Sequence, residues 1–407
     1  MKHKILAINL GNFGSTGAIM REIRNFATKT GEFQIYNCYP LSKYNLKIES
    51  DDIVICGDIY RRISQRLGWL TGFNSCFAFF STIKLIKKIK KIKPDIIHLH
   101  NIHGGYVNIK MLFNFFKKNQ TKIVWTLHDC WSFTGGCPSF SMIKCEKWKT
   151  QCNNCPQLNI YPASLIDNTR YMYSLKKKLF NSISNSNIVY IAPSVWLSKL
   201  FKRSFLKKNT IQIINNGINL NIFRPKESSF RKMYNLENKF IILGIAFDWG
   251  SRKGFDVFIE LRKQLEFDNF AIVLVGTNDD LDKNLPKGII SIHRTKNQNE
   301  LVDVYSACDL FLNPTREDNF PTVNIEALAC GAPVITFRTG GSPEIVDEKT
   351  GVVVDCDDIE TLRKEIIYIY NNRPYSKKAC VDRAKKFDMN DKMQEYIDLY
   401  KKICLQK

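Results

Sequence analysis

The sequence lacks the features that a membrane-spanning, repetitive or disordered protein needs. Its 407 residues contain no uninterrupted run of about 18 apolar residues, the length that a spanning helix requires. No segment repeats at a fixed period, and proline (13) and glycine (21) are not enriched. The opening residues, MKHKILAINLGNFG, are broken too early by Asn and Gly for a secretory signal and predict a first core strand instead. We therefore expect a soluble, cytoplasmic protein.

Acidic residues are few: 39 Asp and Glu face 60 Lys and Arg, which gives a formal net charge of +21. Such a charge favours polyanions, so nucleic acid, phosphorylated metabolites and anionic lipid headgroups are candidate partners. The lysines are dispersed, and no cluster of arginines with stacking aromatics forms a nucleic-acid-binding module. A basic nucleic-acid-binding protein therefore stays the alternative, and we expect no nucleic acid partner. The apolar content of 44% argues against global disorder.

Short β-branched runs alternate with amphipathic stretches along the whole chain, which is typical of βαβ units and parallel sheets. The series restarts near residue 240, after the loop-rich segment IINNGINLNIFRPKESS. We place domains at 1–215 and 216–388, followed by a helix at 389–407 that packs back on one of them, with the N-terminal domain as our hypothesis. The predicted strands are 4–9, 34–38, 53–56, 96–100, 123–127 and 188–192 in the first half, and 240–246, 271–275, 289–293, 310–313, 333–337 and 352–354 in the second.

A glycine-rich loop follows the first predicted strand and precedes a helix. It contains Gly14, Ser15, Thr16 and Gly17. Backbone N–H groups at a helix N-terminus suit a phosphate or another anion. The spacing matches neither GxGxxG nor the P-loop, so a plain tight turn is the competing interpretation.

His128 and Asp129 directly follow the predicted strand IVWTL. Ligands of open α/β sheets bind outside the carboxyl ends of strands, so this position favours a functional role. Histidine can hydrogen-bond a sugar hydroxyl or share a proton, and an aspartate can fix its tautomer. We predict catalytic roles for both residues.

Thirteen cysteines are present, and five of them lie between Cys130 and Cys155. The last four follow the spacing C-x7-C-x6-C-x2-C, of which only the final pair has the tight spacing common in zinc sites. Three interpretations stay open: a structural zinc site, two disulfides, or four reduced thiols. A catalytic zinc is not expected, because four thiolates leave no open position. The four residues are Cys137, Cys145, Cys152 and Cys155.

Two segments of the second half carry the chemistry of a phosphate site. Arg252 and Lys253 occupy a glycine-flanked turn between a strand and a helix, where the two cations suit a diphosphate. The second segment, NPTREDNFPTVNIEALACGAP, predicts a helix that Pro321 begins and Gly331 ends. Glu326 on that helix can hold a ribose diol, and the helix N-terminus can bind phosphate. The acids Glu317 and Asp318 are candidate catalytic residues, and Asn319, Phe320 and Pro321 are candidate donor-binding residues.

Together these segments resemble the retaining glycosyltransferases of the GT-B fold, in the group similar to glycogen synthase and bacterial mannosyltransferases. The motifs that carry the resemblance are NNGINLNIF, SRKGFD, the D-x7-E of Asp318 and Glu326, ALACGAPVI and TGGSPEIV. The GSTG loop and the segment LHDCWSFTGGC resemble a narrower branch that builds bacterial surface polysaccharides such as O-antigen, capsule or exopolysaccharide.

The resemblance implies two Rossmann-like domains with parallel sheets facing across a cleft. The first domain would bind a glycan or lipid-linked acceptor, and the second a nucleotide-sugar donor, UDP- or GDP-linked. Two departures stand out: the family usually has Glu-x7-Glu where this chain has Asp318, and a separated Arg and Lys where Arg252 and Lys253 are adjacent. The resemblance further implies transfer with retention and no metal required for catalysis. A phosphorylase of the same fold is a second alternative.

The segment 83–93, IKLIKKIKKIK, places isoleucines near one face of a predicted helix and lysines on the other. Basic amphipathic helices can lie on anionic membranes, and a lipid-linked acceptor would make such docking useful. An ordinary helix that packs on the core and solvates its lysines is the competing interpretation. Peripheral association with the inner face of a membrane is therefore a hypothesis.

Overall fold

A computed structural model describes residues 2–266, 268–283 and 285–405. The chain forms two compact units. The first contains the residues up to Asn215 together with those from Lys392 onward, and the second is Asn216–Asp391. Each unit is built around its own parallel β-sheet.

The first unit contains a sheet with the strand order β3-β2-β1-β4-β5-β6-β7, and the neighbouring strands are parallel. Because parallel neighbours need a crossover, helices separate most of these strands along the chain. The strands are β1 (His3–Ile8), β2 (Phe33–Tyr39), β3 (Asp52–Val54), β4 (Ile96–Leu99), β5 (Ile123–Thr126), β6 (Ile188–Ala192) and β7 (Thr210–Ile213).

The helices of the first unit include the last helix of the chain. They are α1 (Gly14–Thr30), α2 (Asp58–Thr71), α3 (Phe79–Ile92), α4 (Ile109–Lys118), α5 (Thr169–Phe180), α6 (Val195–Arg203) and most of α14 (Met389–Leu405). The hydroxyl of Tyr400 on α14 lies 2.6 Å from Nδ1 of His98 on β4. Helix α14 therefore completes the interior of this unit.

The second unit contains a parallel sheet with the order β10-β9-β8-β11-β12-β13. Its strands are β8 (Phe240–Ile245), β9 (Phe270–Val275), β10 (Ile289–Ile292), β11 (Leu310–Asn313), β12 (Val334–Phe337) and β13 (Gly351–Val354). Its helices are α7 (Phe230–Met233), α8 (Phe255–Gln264), α9 (Asp279–Asp282), α10 (Gln298–Ala307), α11 (Thr322–Ala329), α12 (Ile359–Asn372) and α13 (Lys377–Ala384).

The second sheet is covered on both faces, as alternation along its strands shows. Ile241 and Leu243 of β8 belong to one apolar cluster, whereas Phe240 and Ile242 belong to another. Successive side chains of a strand point to opposite faces, so the two clusters lie on opposite sides of the sheet. The predicted fold class, two Rossmann-like α/β domains with parallel sheets, is confirmed.

Candidate active site

Both sheets change the direction of their strand order at an equivalent point. The change lies between β1 and β4 in the first sheet and between β8 and β11 in the second. Open parallel sheets bind ligands outside the carboxyl ends of the strands beside such a point. The candidate residues from the sequence follow β1 and β5 in the first unit and β8 and β11 in the second, so each set lies at the expected edge of its sheet.

In the second unit, Lys253 and Asp318 form an ion pair. Lys253 ends a short 3-10 turn after β8, and Asp318 lies in the loop that follows β11. Nζ of Lys253 lies 2.5 Å from Oδ2 of Asp318, and both side chains keep about one fifth of their surface exposed. The structure thus brings together the cation and the acid that the sequence singled out, and their role in donor binding stays a prediction.

Arg252 holds the same loop through its backbone and its guanidinium. Its Nη1 donates to the carbonyl oxygen of Glu317 at 3.1 Å, and its own carbonyl oxygen accepts from the amide of Arg316 at 2.8 Å. The side chain of Glu317 is buried, whereas that of Asp318 is half-buried beside Lys253. Asp318 therefore lies next to a cation.

The turn after β12 approaches the backbone of Asp318 very closely. Gly340 has a φ of +55°, and a Cβ built there would stand 1.6 Å from the carbonyl oxygen of Asp318. The amide of Gly341 donates to that same oxygen at 3.3 Å. A side chain at position 340 would therefore displace Asp318 and its ion pair.

Helix α11 starts after Pro321 and carries Glu326, as the sequence predicts. The hydroxyl of Tyr305 donates to Oε2 of Glu326 at 3.0 Å. Burial raises the pKa of Glu326, while hydrogen bonds from Tyr305 and Thr322 oppose that rise. A half-buried carboxylate held by such donors can accept further hydroxyl protons, which is the chemistry of ribose recognition.

The other candidate donor-binding residues of this loop differ in how deeply they are buried. The side chain of Phe320 is buried, and its ring centroid lies 5.7 Å from that of Phe387. Its carbonyl oxygen accepts from Nδ2 of Asn216 at 3.2 Å. The side chain of Phe320 is therefore a packing element, and the half-buried Asn319 is the more accessible of the two candidates.

In the first unit, the glycine-rich loop leads directly into α1. The helix begins at Gly14, and Phe13 at the N-cap position provides no side-chain hydrogen bond to it. A Cβ on Gly17 would stand 2.6 Å from the backbone carbonyl carbon of Asn12, so this position requires glycine. Ser15 is exposed and Thr16 half-buried at the helix start, consistent with the predicted anion site, which stays a prediction.

Asp129 pairs with a histidine that the sequence analysis did not select. Its Oδ2 lies 3.0 Å from Nε2 of His103, and its Oδ1 accepts from the amide of Trp131 at 2.8 Å. His128 instead lies against His100, with 3.0 Å between Nε2 of His128 and Nδ1 of His100. The expectation that Asp129 fixes the tautomer of His128 is therefore wrong, because the loop after β4 inserts His103 beside the carboxylate.

The charge states of this cluster follow from burial. Burial lowers the pKa of His128 to about 4 and the pKa of His100 well below its usual value. Burial alone would raise the pKa of Asp129, but His103 and the Trp131 amide hold it below its usual value. Near pH 7 the site thus offers the ionised carboxylate of Asp129 and the neutral imidazoles of His100 and His128, a set that can hold hydroxyl groups.

Three members of this cluster were missed: His100, His103 and Tyr161. The segment HLHNIHGG carried a signal, because its histidines lie at the carboxyl end of β4, the neighbour of β5. Tyr161, whose hydroxyl lies 2.8 Å from Nδ1 of His103, comes from a long irregular segment and had no such signal.

The four-cysteine segment forms a compact loop beside α5. Cys137, Cys145, Cys152 and Cys155 line one small cavity, and no disulfide joins them in this structure. The amide of Gly135 donates to Sγ of Cys152 at 3.2 Å. Within the part of the chain that the structure describes, no three His, Cys, Asp or Glu side chains already stand as a metal-ligand group. The structural zinc site therefore stays a prediction.

Comparison with known proteins agrees with this fold. The family "Glycosyl transferases group 1" matches residues 227–387, and "Glycosyltransferase Family 4" matches residues 47–222. The "Putative colanic acid biosynthesis glycosyl transferase WcaC" of Escherichia coli (strain K12) is 25% identical over 322 residues, 76% of this chain and 77% of that protein. The "N,N'-diacetylbacillosaminyl-diphospho-undecaprenol alpha-1,3-N-acetylgalactosaminyltransferase" of Campylobacter jejuni is 28% identical over 214 residues, 49% of this chain and 56% of that protein.

Among solved structures, Anabaena Alr3699/HepE in complex with UDP superposes with a TM-score of 0.66 at 14% identity, covering 99% of this chain and 100% of that one. The matches to two glycosyltransferase families and to the colanic acid relative, together with the two parallel sheets, identify the chain as a nucleotide-sugar glycosyltransferase with the GT-B fold. The match to group 1 glycosyltransferases covers the part of the second unit that holds Lys253, Asp318 and Glu326.

Proposed function

We propose that the chain transfers a hexose from a UDP-sugar to a lipid-linked glycan acceptor, with retention of anomeric configuration, in the synthesis of a bacterial surface polysaccharide. The relatives named for colanic acid biosynthesis and for a diphospho-undecaprenol acceptor support this assignment, as does the neighbour in complex with UDP. The enzyme would work in the cytoplasm at the inner face of a membrane, where a lipid-linked acceptor is accessible.

The observation that carries the proposal is the Lys253–Asp318 pair beside the start of α11. In the donor complex, Lys253 and Arg252 would neutralise the diphosphate, together with the N-terminus of α11. Glu326 would accept protons from the ribose hydroxyls, and Asp318 would hold hydroxyls of the transferred sugar. These cations supply the charge that the leaving group needs, so we expect no metal requirement for the transfer.

The transfer itself is a substitution at the anomeric carbon. The bond from that carbon to the diphosphate oxygen breaks while the acceptor hydroxyl oxygen forms a new bond on the same face. A phosphate oxygen of the leaving diphosphate takes the hydroxyl proton. Charge builds up on the diphosphate during this step, which is where preorganised cations lower the barrier most.

In the first unit, we propose that Asp129 and His128 hold hydroxyl groups. Asp129 is an ionised acceptor positioned by His103 and the Trp131 amide. His128 is a neutral imidazole near pH 7, so it can exchange hydrogen bonds with a hydroxyl without adding a charge. The glycine-rich loop at Gly14 would bind an anionic group, as expected for a phosphate-linked ligand.

A nucleotide screen tests the donor assignment. Thermal unfolding would be followed with UDP-, GDP-, ADP- and CMP-sugars at concentrations well above their expected Kd. A ligand that binds the folded state raises the transition temperature, and we expect the largest shift for a UDP-sugar. A shift with none of the four classes would contradict the proposal.

The role of Lys253 is tested by Lys253→Ala with Lys263→Ala as the matched control, because Lys263 is an exposed residue of α8 that pairs with Glu260 on its own helix. We expect Lys253→Ala to lower kcat at least about 100-fold, the typical cost of removing a group that stabilises transition-state charge. The thermal transition should change little in either variant. Transfer by Lys253→Ala at the rate of Lys263→Ala would remove the basis of the assignment.

A further inference from the structure

Helix α2 reverses the usual burial pattern of a surface helix, in which the large apolar residues face the core. It buries its small residues, Ser64 and Gly68, and exposes large apolar ones. Ile59 is 78% exposed, Ile63 56% and Leu67 40%, at a spacing of four residues that puts them on one side of the helix. The buried side is tight, because a Cβ on Gly68 would stand 2.8 Å from Oδ1 of Asn74.

The exposed apolar surface continues onto both neighbours of α2. At its start, the hydroxyl of Tyr60 accepts from the amide of Phe80, whose own side chain is 76% exposed. At its end, the carbonyl oxygen of Trp69 accepts from the amide of Leu165, which is also exposed. We call this continuous surface the α2 face; its exposed apolar residues are Ile59, Ile63, Leu67, Trp69, Leu70, Phe79, Phe80, Ile83, Leu165 and Ile166.

Positive charge surrounds this surface. Arg66 and Arg62 are exposed on α2 between the apolar residues, Arg62 with its Nε also 2.7 Å from Oδ2 of Asp58, and the whole chain carries a net charge of +21. The lysine-rich helix α3 buries Leu85 and Ile89 in the core, so only part of its apolar side, chiefly Ile83, is exposed. Its exposed Lys84 and Lys87 add positive charge near Phe80 and Ile83 instead.

We propose that the α2 face docks on an anionic lipid bilayer. Isoleucine, leucine and phenylalanine side chains enter the boundary between headgroups and acyl chains, tryptophan sits at that level, and arginines contact anionic headgroups. A lipid bilayer fits better than a second copy of this chain, because two such basic faces would repel each other. The inference rests on the proposed function only in that a lipid-linked acceptor would lie in the same bilayer.

Vesicle flotation tests the docking with the full chain. The vesicles would contain either phosphatidylcholine alone or phosphatidylcholine with phosphatidylglycerol. We expect the wild type to float with the anionic vesicles and only weakly with the neutral ones. The double variant Ile63→Asp/Leu67→Asp should bind the anionic vesicles at least tenfold less, and both residues are exposed, so folding should be preserved. The control is Met233→Asp, at a 69% exposed methionine of α7, which should float like the wild type.

Three outcomes would overturn the inference: no flotation of the wild type, equal flotation of the double variant, or a wild-type dimer that the double variant converts to a monomer. The last outcome would assign the α2 face to a second copy of the chain. The thermal shift with UDP tests the donor assignment independently of flotation. A double variant that keeps this shift but no longer floats would show that the α2 face serves docking and not nucleotide binding. A wild type that floats without any nucleotide shift would refute the proposed function and leave the docking intact.

Discussion

Glu326 owes its carboxylate orientation to a few donors, chiefly the hydroxyl of Tyr305. Replacing Tyr305 with Phe removes one hydrogen bond to a charged group, which is worth about 1.5–3 kcal/mol, and leaves the ring in place. If Glu326 holds the ribose, the Kd for UDP should rise about tenfold in Tyr305→Phe, measured by titration calorimetry. Tyr368→Phe, at an exposed tyrosine of α12, is the control. An unchanged Kd would show that the Tyr305 hydroxyl does not position the nucleotide-binding carboxylate.

His98 makes the stability of the first unit depend on pH. It is fully buried between Tyr400 and Thr126, and burial lowers its pKa to about 3. The unfolded chain, with a pKa of about 6.5, binds a proton that the folded state excludes, so stability is lost as pH falls below that value. Between pH 7 and pH 5 this histidine alone should cost the folded state about 2 kcal/mol.

Urea unfolding followed by tryptophan fluorescence at pH 7 and pH 5 checks this prediction, because five of the six tryptophans lie in the first unit. The variant His98→Gln should lose less stability over this pH range than the wild type. His293→Gln is the control: its histidine lies in the second unit, where Asp282 raises the pKa, so the slope of the first unit should not change. The same pH slope in His98→Gln and the wild type would contradict the account.

The sequence predicted which site residues meet where a motif lies at the end of a strand, and it predicted this less well elsewhere. Lys253 and Asp318 follow adjacent strands, so their meeting could be expected from the order of the elements alone. The partner of Asp129 could not, because His103 reaches it through an irregular loop whose path depends on the surrounding packing. Similarly, the sequence left both Glu317 and Asp318 as candidates, and the structure distinguishes them by the burial of Glu317 and by the ion pair of Asp318 with Lys253.

At the scale of elements, hydrophobic alternation located the strands well. Every predicted strand overlaps an observed one, usually within one residue at each end. Strand β7 (Thr210–Ile213), in contrast, was observed but not predicted. It is an edge strand whose residues are all exposed or half-buried, so it gives no apolar run. Helix α3 was predicted as an amphipathic helix, but its composition does not show which elements its apolar side packs against.

The four-cysteine loop is the element whose chemistry is most open to a direct test. Lys176 of α5 is buried beside it and donates to the carbonyl oxygens of Trp131 and Thr134 at 2.8 and 3.2 Å. A buried ammonium suits a site that gains negative charge when thiolates bind zinc. We predict about one zinc per chain in protein purified without added metal, measured by inductively coupled plasma mass spectrometry.

The double variant Cys152→Ser/Cys155→Ser should lose this zinc and the stability of the loop, seen as faster proteolysis between residues 137 and 155. Cys356→Ser, an exposed cysteine far along the chain, should keep the full zinc content. Zinc-free wild-type protein would contradict the prediction, and mass spectrometry of alkylated protein would then distinguish two disulfides from four free thiols.

At the scale of the whole molecule, the first unit is assembled from both ends of the chain. Tyr396, Ile397 and Tyr400 of α14 are buried in it, although the 176 residues of the second unit, Asn216–Asp391, separate them from β7. The hydroxyl of Tyr400 hydrogen-bonds to His98, and the hydroxyl of Tyr396 hydrogen-bonds to Thr126. His98 and Thr126 also hydrogen-bond to each other, so the four side chains form one buried network. We therefore expect the first unit to need α14 to complete its folding.

A chain that ends at Asp391 tests this dependence. Each fully buried large apolar side chain contributes about 1.5–3 kcal/mol, so losing several of them approaches the 5–15 kcal/mol that holds a whole domain together. We expect the truncated chain to lose the cooperative unfolding of tryptophan fluorescence, which reports mainly on the first unit. The thermal shift with UDP should persist, because Lys253, Asp318 and Glu326 all lie in the second unit. The full chain with Leu405→Ala, at a residue 84% exposed, should behave like the wild type. Retained cooperative unfolding after truncation would mean that α14 covers the first unit without being needed to complete it.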